Sequence, residues 1–373
     1  MIILKKNKLL KNNLHKTKNK NVILRVDFNI DLKDGHLVDK YRLNAAKATI
    51  YALKQTANKI IIISHLENNK FKSFKKFLPF IEKFLKQKIV FCNSLNKDIV
   101  QNIKNKIIFI ENIRLWPGEK ANDLMLAKQI KELGDVFVNE AFSVSHRKHS
   151  SVYWLPKLMP TFYGLNFEKE IKLLNTVLKQ KRHVLILGGA KISTKLPLIK
   201  KFLQKKALVI LGGGLANTVY KAYNFKIGKS LIEKNILNDI KKINNENLIL
   251  PIDFYVLSDK KIFYRRLDEI KNNDIILDIG DKSLDLFKEK LQNNKYYIVW
   301  NGPLGYVENQ TFQNGTLQLA KFLITKNKNT VVGGGDTIAF LESHNLMKKF
   351  KNISTGGGAM LHYLAFEKLS FKI

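Results

Sequence analysis

Three consecutive glycines occur at 212–214, 333–335 and 356–358, and these triplets take nine of the 20 glycines in the chain. Each stands between an apolar run and a helical pattern, in "LVILGGGLANT", "TVVGGGDTIAF" and "FKNISTGGGAMLHYL". Glycine lets backbone amides approach an anion closely, and the N-terminus of a following helix adds a favourable dipole, so the three loops read as phosphate cradles. A fourth loop, "LGGAKISTK", carries Lys191 and Lys195 four residues apart, which puts both on one face if the loop has already become helix. Asp336 in "GGGDT" sets a carboxylate beside phosphate-facing amides. That is what a nucleotide-bound Mg²⁺ asks of a protein that supplies few ligands, and the structural alternative is a helix cap. Neither G-x-x-x-x-G-K-[ST] nor a strand-following G-x-G-x-x-G is present, so the nucleotide site is of another kind.

The first half has no glycine triplet and instead places arginines at or just after apolar runs: Arg25 in "LRVDFNIDL", Arg42 in "DKYRLNAA", Arg114 in "FIENIRLWPGE" and Arg147 in "SVSHRKHSS". Only seven of the 65 basic residues are arginine. A chain that otherwise uses lysine needs those arginines for something lysine cannot do, namely a planar fork for carboxylate or phosphate. His65, His146 and His149 add donors, and Asp27 and Asn29 offer acceptors for hydroxyl groups. The pattern suits a small, highly anionic ligand.

The elements that must hold these residues alternate short β-rich runs with amphipathic helical stretches. "NVILRVDF", "KIIIISH", "KIIFIEN" and "DVFVNEAF" read as strands in the first half, and "HVLILGGA", "ALVILGGG", "YYIVWNGP" and "NTVVGGGD" in the second. Their continuous apolar character predicts strands buried on both faces, hence an α/β fold of two parallel-sheet, Rossmann-like domains. A helical pattern from about Asn166 to Lys179 reads as a helix linking them. We expect domains at 1–163 and 181–358, a linking helix at 164–180, and a C-terminal segment, 359–373, packing near the hinge.

The formal charge of +34 is spread through lysines in every part of the chain, as a residue bias rather than a designed patch would be. The N-terminal stretch lacks the apolar core of a signal peptide and no apolar run is long enough to span a membrane, which leads us to expect a cytoplasmic protein. The single cysteine, Cys92, follows an apolar run and reads as a core residue.

Ten ordered blocks resemble the phosphoglycerate kinase family along essentially the whole chain: "RVDFNIDL", "SHL", "ENIRLWPGE", "DVFVNEAF", "SHRKHSS", "GGAKISTKL", "GGGLANT", "WNGPLGYVE", "GGGDT" and "STGGGA". The resemblance implies reversible in-line phosphoryl transfer between 1,3-bisphosphoglycerate and ADP, giving 3-phosphoglycerate and Mg-ATP, with domain closure. By the same resemblance Asp27, Phe28, Asn29, Arg42, His65, Arg114 and Arg147 bind 3-phosphoglycerate. Arg42, Lys191, Gly357 and Gly358 act on the phosphoryl group in transfer. Lys195, Gly213, Asn301, Pro303, Glu308, Gly334, Gly335, Asp336 and Thr337 form the nucleotide site, with Glu308 on the ribose and Asp336 on Mg²⁺. The implied partners are these small molecules, with nucleic acid bound only non-specifically and the protein a monomer. The alternative is a catalytically weakened homologue that keeps nucleotide binding and uses its charge on nucleic acid.

The chain also departs from the family pattern. Where the family reads "SHLGRP" this chain has "SHLENNK", so Glu67 and Asn68 replace a glycine and a substrate-side arginine. A carboxylate at Glu67 is expected to oppose an anionic ligand if it points inward, and Asn68 is not assigned as a ligand. "NEAFS" with Glu140 and "DIGD" at 278–281 are read as changes in hinge or turn elements.

Overall fold

A computed structural model of the chain describes residues 2–33, 35–38, 40–67, 70–243, 245–292 and 295–371. Asn68 lies outside the described residues. The chain divides into two compact units, Met1–Asn175 with Gly358–Ile373, and Thr176–Gly357. The division falls inside the helix Leu165–Lys179.

The first unit is built on a six-stranded sheet in the order Val90–Cys92, Ile107–Ile110, Lys59–Ile63, Asn21–Arg25, Val136–Asn139 and Thr161–Tyr163, all pairs parallel. Successive residues of a strand point to opposite faces, and here both faces are apolar. Val22, Leu24, Ile60, Ile62 and Phe109 pack against Leu43, Ile50 and Leu53 of the helix Lys40–Thr56. Ile23, Ile61, Ile63, Ile108 and Phe137 pack on the other side with Leu126 and Ile130 of the helix Leu124–Lys131. Cys92 joins this second layer as a buried free thiol. The parallel arrangement brings the carboxyl ends of four central strands to one edge, so the loops after residues 25, 63, 110 and 139 converge there.

The second unit repeats the scheme with Leu248–Ile249, Leu208–Leu211, His183–Leu187, Tyr297–Asn301, Thr330–Gly333 and Asn352–Ser354 in that order, again all parallel. The central strands His183–Leu187, Tyr297–Asn301 and Thr330–Gly333 are buried at every position. The glycine triplets lead from strand ends into the helices Gly213–Ala222, Gly335–Ser343 and Gly358–Phe366, as expected. A separate antiparallel sheet, Lys261–Arg266, Asp253–Ser258 and Ile275–Ile279, is an addition to the predicted all-parallel plan.

Candidate active site

In the first unit the loop after strand Asn21–Arg25 presents Asp27, whose carboxylate accepts hydrogen bonds from Arg42 Nη1, the Ser143 hydroxyl and Asn29 N. Burial alone would raise this carboxyl, but the Arg42 guanidinium and the hydrogen bonds bring it down to about 2. His65 is buried, and burial together with the neighbouring arginines outweighs Asp27 and holds its pKa well below the usual value. An arginine only donates, so His65 Nδ1, 3.4 and 3.5 Å from the two Arg25 Nη atoms, is an acceptor. The proton of the neutral ring therefore sits on Nε2, which faces Asp27 Oδ1 at 3.9 Å.

Arg25 is separated from the ligand-facing set. Its Nε donates to Ser151 Oγ at 2.9 Å, Nη1 donates to Val26 O at 2.7 Å, and Nη2 lies 3.7 Å from Glu119 Oε1 in a fully buried pair. It is a strut under the site. Phe28 requires a similar correction. Its ring is buried in the core against Phe109 and its amide is given to Ser64 Oγ, so its side chain is not available to a ligand.

Arg114 follows strand Ile107–Ile110 in a short 3₁₀ turn, Ile113–Leu115, capped by Asn112. The Asn112 Oδ1 accepts both Arg114 N at 3.2 Å and Leu66 N at 2.9 Å, so one side chain ties this loop to the loop carrying Glu67. The Arg114 side chain is 4% exposed. Its Nη1 lies 2.6 Å from Glu67 Oε2 as an ion pair without the alignment of a hydrogen bond, while Nε and Nη2 have no hydrogen-bond partner among the described residues. Leaving such donors buried and unpaired is costly, and a bound oxyanion would satisfy them. Arg147 Nη1, 3.8 Å from the same Glu67 oxygen, and Lys120 Nζ, 3.6 Å from Oε1, complete a ring of positive charge. Glu67, expected to be unfavourable if it pointed inward, does point inward. Burial works against its charge, but Arg114, Lys120 and Arg147 together hold its carboxyl below the ordinary value.

His146 and His149 supply fewer donors than expected. Burial and the nearby arginines bring both down to about 4, so each ring is neutral, and both Nδ1 atoms are buried without a partner. Ser143 and Lys120 were not read as site residues. Ser143 stood in "NEAFS" as a turn change, and Lys120 was one lysine among many; only contact with Asp27 and Glu67 distinguishes them.

In the second unit the strand-end loops interlock so closely that side chains are excluded. A Cβ on Gly188 would lie 1.8 Å from Pro303 O, and Gly334 takes φ +102° where a Cβ would lie 2.9 Å from Asn301 Nδ2. That Nδ2 is buried without a partner, aimed at the triplet 333–335. Pro303 O accepts Gly189 N at 3.0 Å, and Thr337 Oγ1 accepts Gly302 N at 2.8 Å, so Thr337 is buried as a tie between two loops. Gly213 takes φ +58° at the start of its helix, and Gly357 takes φ +47° just before Gly358–Phe366.

Lys191 and Lys195 do not share a helix face, because the helix begins only at Leu196. Lys191 is exposed, whereas Lys195 is buried with its ammonium donating to Gly188 O and lying 3.5 Å from Asn301 O. Burial lowers Lys195 to about 8 against the pull of Asp336. Asp336 lies exposed in the first turn of Gly335–Ser343 and provides no side-chain cap, so the cap reading falls. Glu308 is exposed in the loop after Tyr297–Asn301.

Residues 12–367 match the model of the family described as phosphoglycerate kinase. The chain is 37% identical over 359 residues to the phosphoglycerate kinase of Baumannia cicadellinicola, covering 93% of this chain and 92% of the relative. It is 36% identical over 368 residues to that of Coprothermobacter proteolyticus, with 93% of each chain covered. The structure of phosphoglycerate kinase from Coxiella burnetii superposes with a TM-score of 0.76 at 33% identity, and that from Pyrococcus horikoshii with 0.82 at 26%; each covers 95% of both chains.

Proposed function

The chain belongs to the phosphoglycerate kinase family and is a glycolytic phosphotransferase, and on that premise we propose how its residues divide the work. The reaction moves a phosphoryl group reversibly between 1,3-bisphosphoglycerate and ADP. In the ATP-consuming direction a carboxylate oxygen of 3-phosphoglycerate attacks the γ-phosphorus and the bond to the β-phosphate oxygen breaks. That carboxylate is already ionised at neutral pH, so no proton has to be removed and the protein's task is alignment and charge neutralisation.

The unit Met1–Asn175 with Gly358–Ile373 binds 3-phosphoglycerate. Arg114 and Arg147 take its phosphate, while His65, Asp27 and Asn29 order its hydroxyl and carboxyl groups. Arg42, oriented by Asp27, carries charge at the reacting end. The observation that supports this most is the buried Arg114 fork with Nε and Nη2 unpaired. Measuring 3-phosphoglycerate binding to Arg114→Ala tests it, and retained binding would remove the assignment.

The unit Thr176–Gly357 binds the nucleotide. The amides of Gly213, Gly334 and Gly335 and the loop of Asn301 and Pro303 face its phosphates, with Thr337 holding that loop. Glu308 takes the ribose, Lys195 the phosphate chain, and Lys191 with the amide of Gly357 the transferring group. Among the described residues no cluster of three or more metal-ligating side chains exists. A single exposed Asp336 therefore fits Mg²⁺ held mainly by nucleotide phosphates and water, and the ion would neutralise charge on those phosphates.

From its family membership we place the enzyme in the cytoplasm as a monomer; no described helix is long and apolar enough to cross a membrane. A family match spanning residues 12–367 does not favour the charge-driven nucleic-acid alternative.

A further inference from the structure

Among the described residues, Glu67 is the carboxylate that meets Arg114, Lys120 and Arg147 from the solvent side. Its backbone amide donates to Asn29 Oδ1 at 2.7 Å, which pins the residue at the rim. Its carboxylate then reaches inward to Arg114 at 2.6 Å, Lys120 at 3.6 Å and Arg147 at 3.8 Å. The side chain is still 53% exposed, so the carboxylate stands at the solvent boundary of the site. Three cations on one exposed carboxylate leave it ionised at neutral pH, yet it lies against only one edge of the Arg114 fork and forms no aligned hydrogen bond there.

We propose that Glu67 is a displaceable resident anion of the 3-phosphoglycerate site, a specificity-determining side chain that competes with the substrate phosphate for Arg114 and Arg147. The inference rests on the assignment of Arg114 to that phosphate. A phosphate dianion offers more charge and more acceptor atoms than a carboxylate and can fill the unpaired Nε and Nη2 positions, so it wins the exchange. The exchange costs affinity in proportion to the ion pair given up. It also screens the arginines in the free enzyme from small solution anions such as chloride and sulfate.

The test is calorimetric titration of 3-phosphoglycerate, with and without added sodium sulfate, into wild type, Glu67→Gln and Glu67→Gly. The exposed position of the pair sets the expected effect: 3-phosphoglycerate binds about fivefold more tightly to both variants in low salt. Sulfate then competes more strongly in the variants than in wild type, and ATP affinity stays at its wild-type value. A residue that merely positions Arg114 would give the opposite sign, with weaker substrate binding when its charge is removed. Unchanged or weaker binding in both variants, each with a wild-type melting temperature, overturns the proposal. Arg114→Ala distinguishes a failure of the resident-anion role from a failure of the site assignment. If it loses 3-phosphoglycerate binding while the Glu67 variants show no gain, only the resident-anion inference fails. If it binds normally, the site assignment fails and the inference with it.

Discussion

The Arg42 guanidinium is held by the Asp27 carboxylate, and the same carboxylate takes the Ser143 hydroxyl and the Asn29 amide. Asp27 thus fixes the direction of a cation assigned to charge that develops during transfer. Arg42→Ala is expected to lower kcat by about 100-fold or more, the scale for removing one pre-organised stabiliser, while the KM for ATP changes by less than about twofold. Steady-state kinetics with both substrates varied checks this. Equal losses in both parameters would assign Arg42 to general folding.

The Lys195 ammonium donates to Gly188 O. Lys195→Ala removes both that bond and the charge for the phosphate chain, so the KM for ATP should rise about tenfold with the KM for 3-phosphoglycerate unchanged. Because Lys195 sits near 8, kcat/KM for ATP in wild type should decline as pH rises through that value. A flat profile from pH 7 to 9 would argue that the lysine does not bind phosphate as a cation.

Gly188→Ala places a methyl group where Pro303 O would be 1.8 Å away, with no flexible side chain to yield. The two loops must part, at a cost of about 2–3 kcal/mol in stability, and ATP binding should weaken together with the fold. Chemical denaturation and nucleotide titration of the variant check both effects. Wild-type values in both would mean that the tight approach of these loops is dispensable.

Glu140 accepts the Thr49 hydroxyl at 2.6 Å and the Asn166 and Phe167 amides at 3.0 and 2.9 Å, which caps the helix Leu165–Lys179 from the end of the strand Val136–Asn139. Burial outweighs these bonds and raises its carboxyl from 4.5 to about 7. The native state therefore binds a proton more tightly than the unfolded chain. Stability from this group is fully present below about 4.5 and is lost as pH rises toward 7. In Glu140→Gln that component of the slope should disappear from pH-dependent unfolding curves. An unchanged slope would show that Glu140 is ionised in the native protein throughout.

The parallel strands were legible because continuous apolar runs such as "KIIII" and "HVLIL" are what two-sided burial demands. The antiparallel sheet was not. The turn joining Asp253–Ser258 to Lys261–Arg266 is made by Asp259 and Lys260, both at positive φ of 50° and 63°. A sequence reading looks for Asn-Gly or Asp-Gly at such a turn. Strand Lys261–Arg266 is also mostly exposed, so it shows no apolar alternation. In the site, residue types were legible and their employment was not. Arg25 and Arg114 look alike as sequence, but Glu119 and Ser151 consume the first, whereas the second keeps Nε and Nη2 unpaired. Ser143 and Glu140 read only as departures in a turn motif, because the Asp27 and Asn166 groups that employ them are 116 and 26 residues away.

The most direct test of the account is ATP consumption by the purified protein in a coupled assay, with 3-phosphoglycerate and Mg²⁺ supplied or withheld in turn. Turnover is expected only when both are present, and it should be abolished when Mg²⁺ is chelated. A well-folded protein that consumes no ATP at millimolar substrate, or consumes it equally without 3-phosphoglycerate, would contradict it.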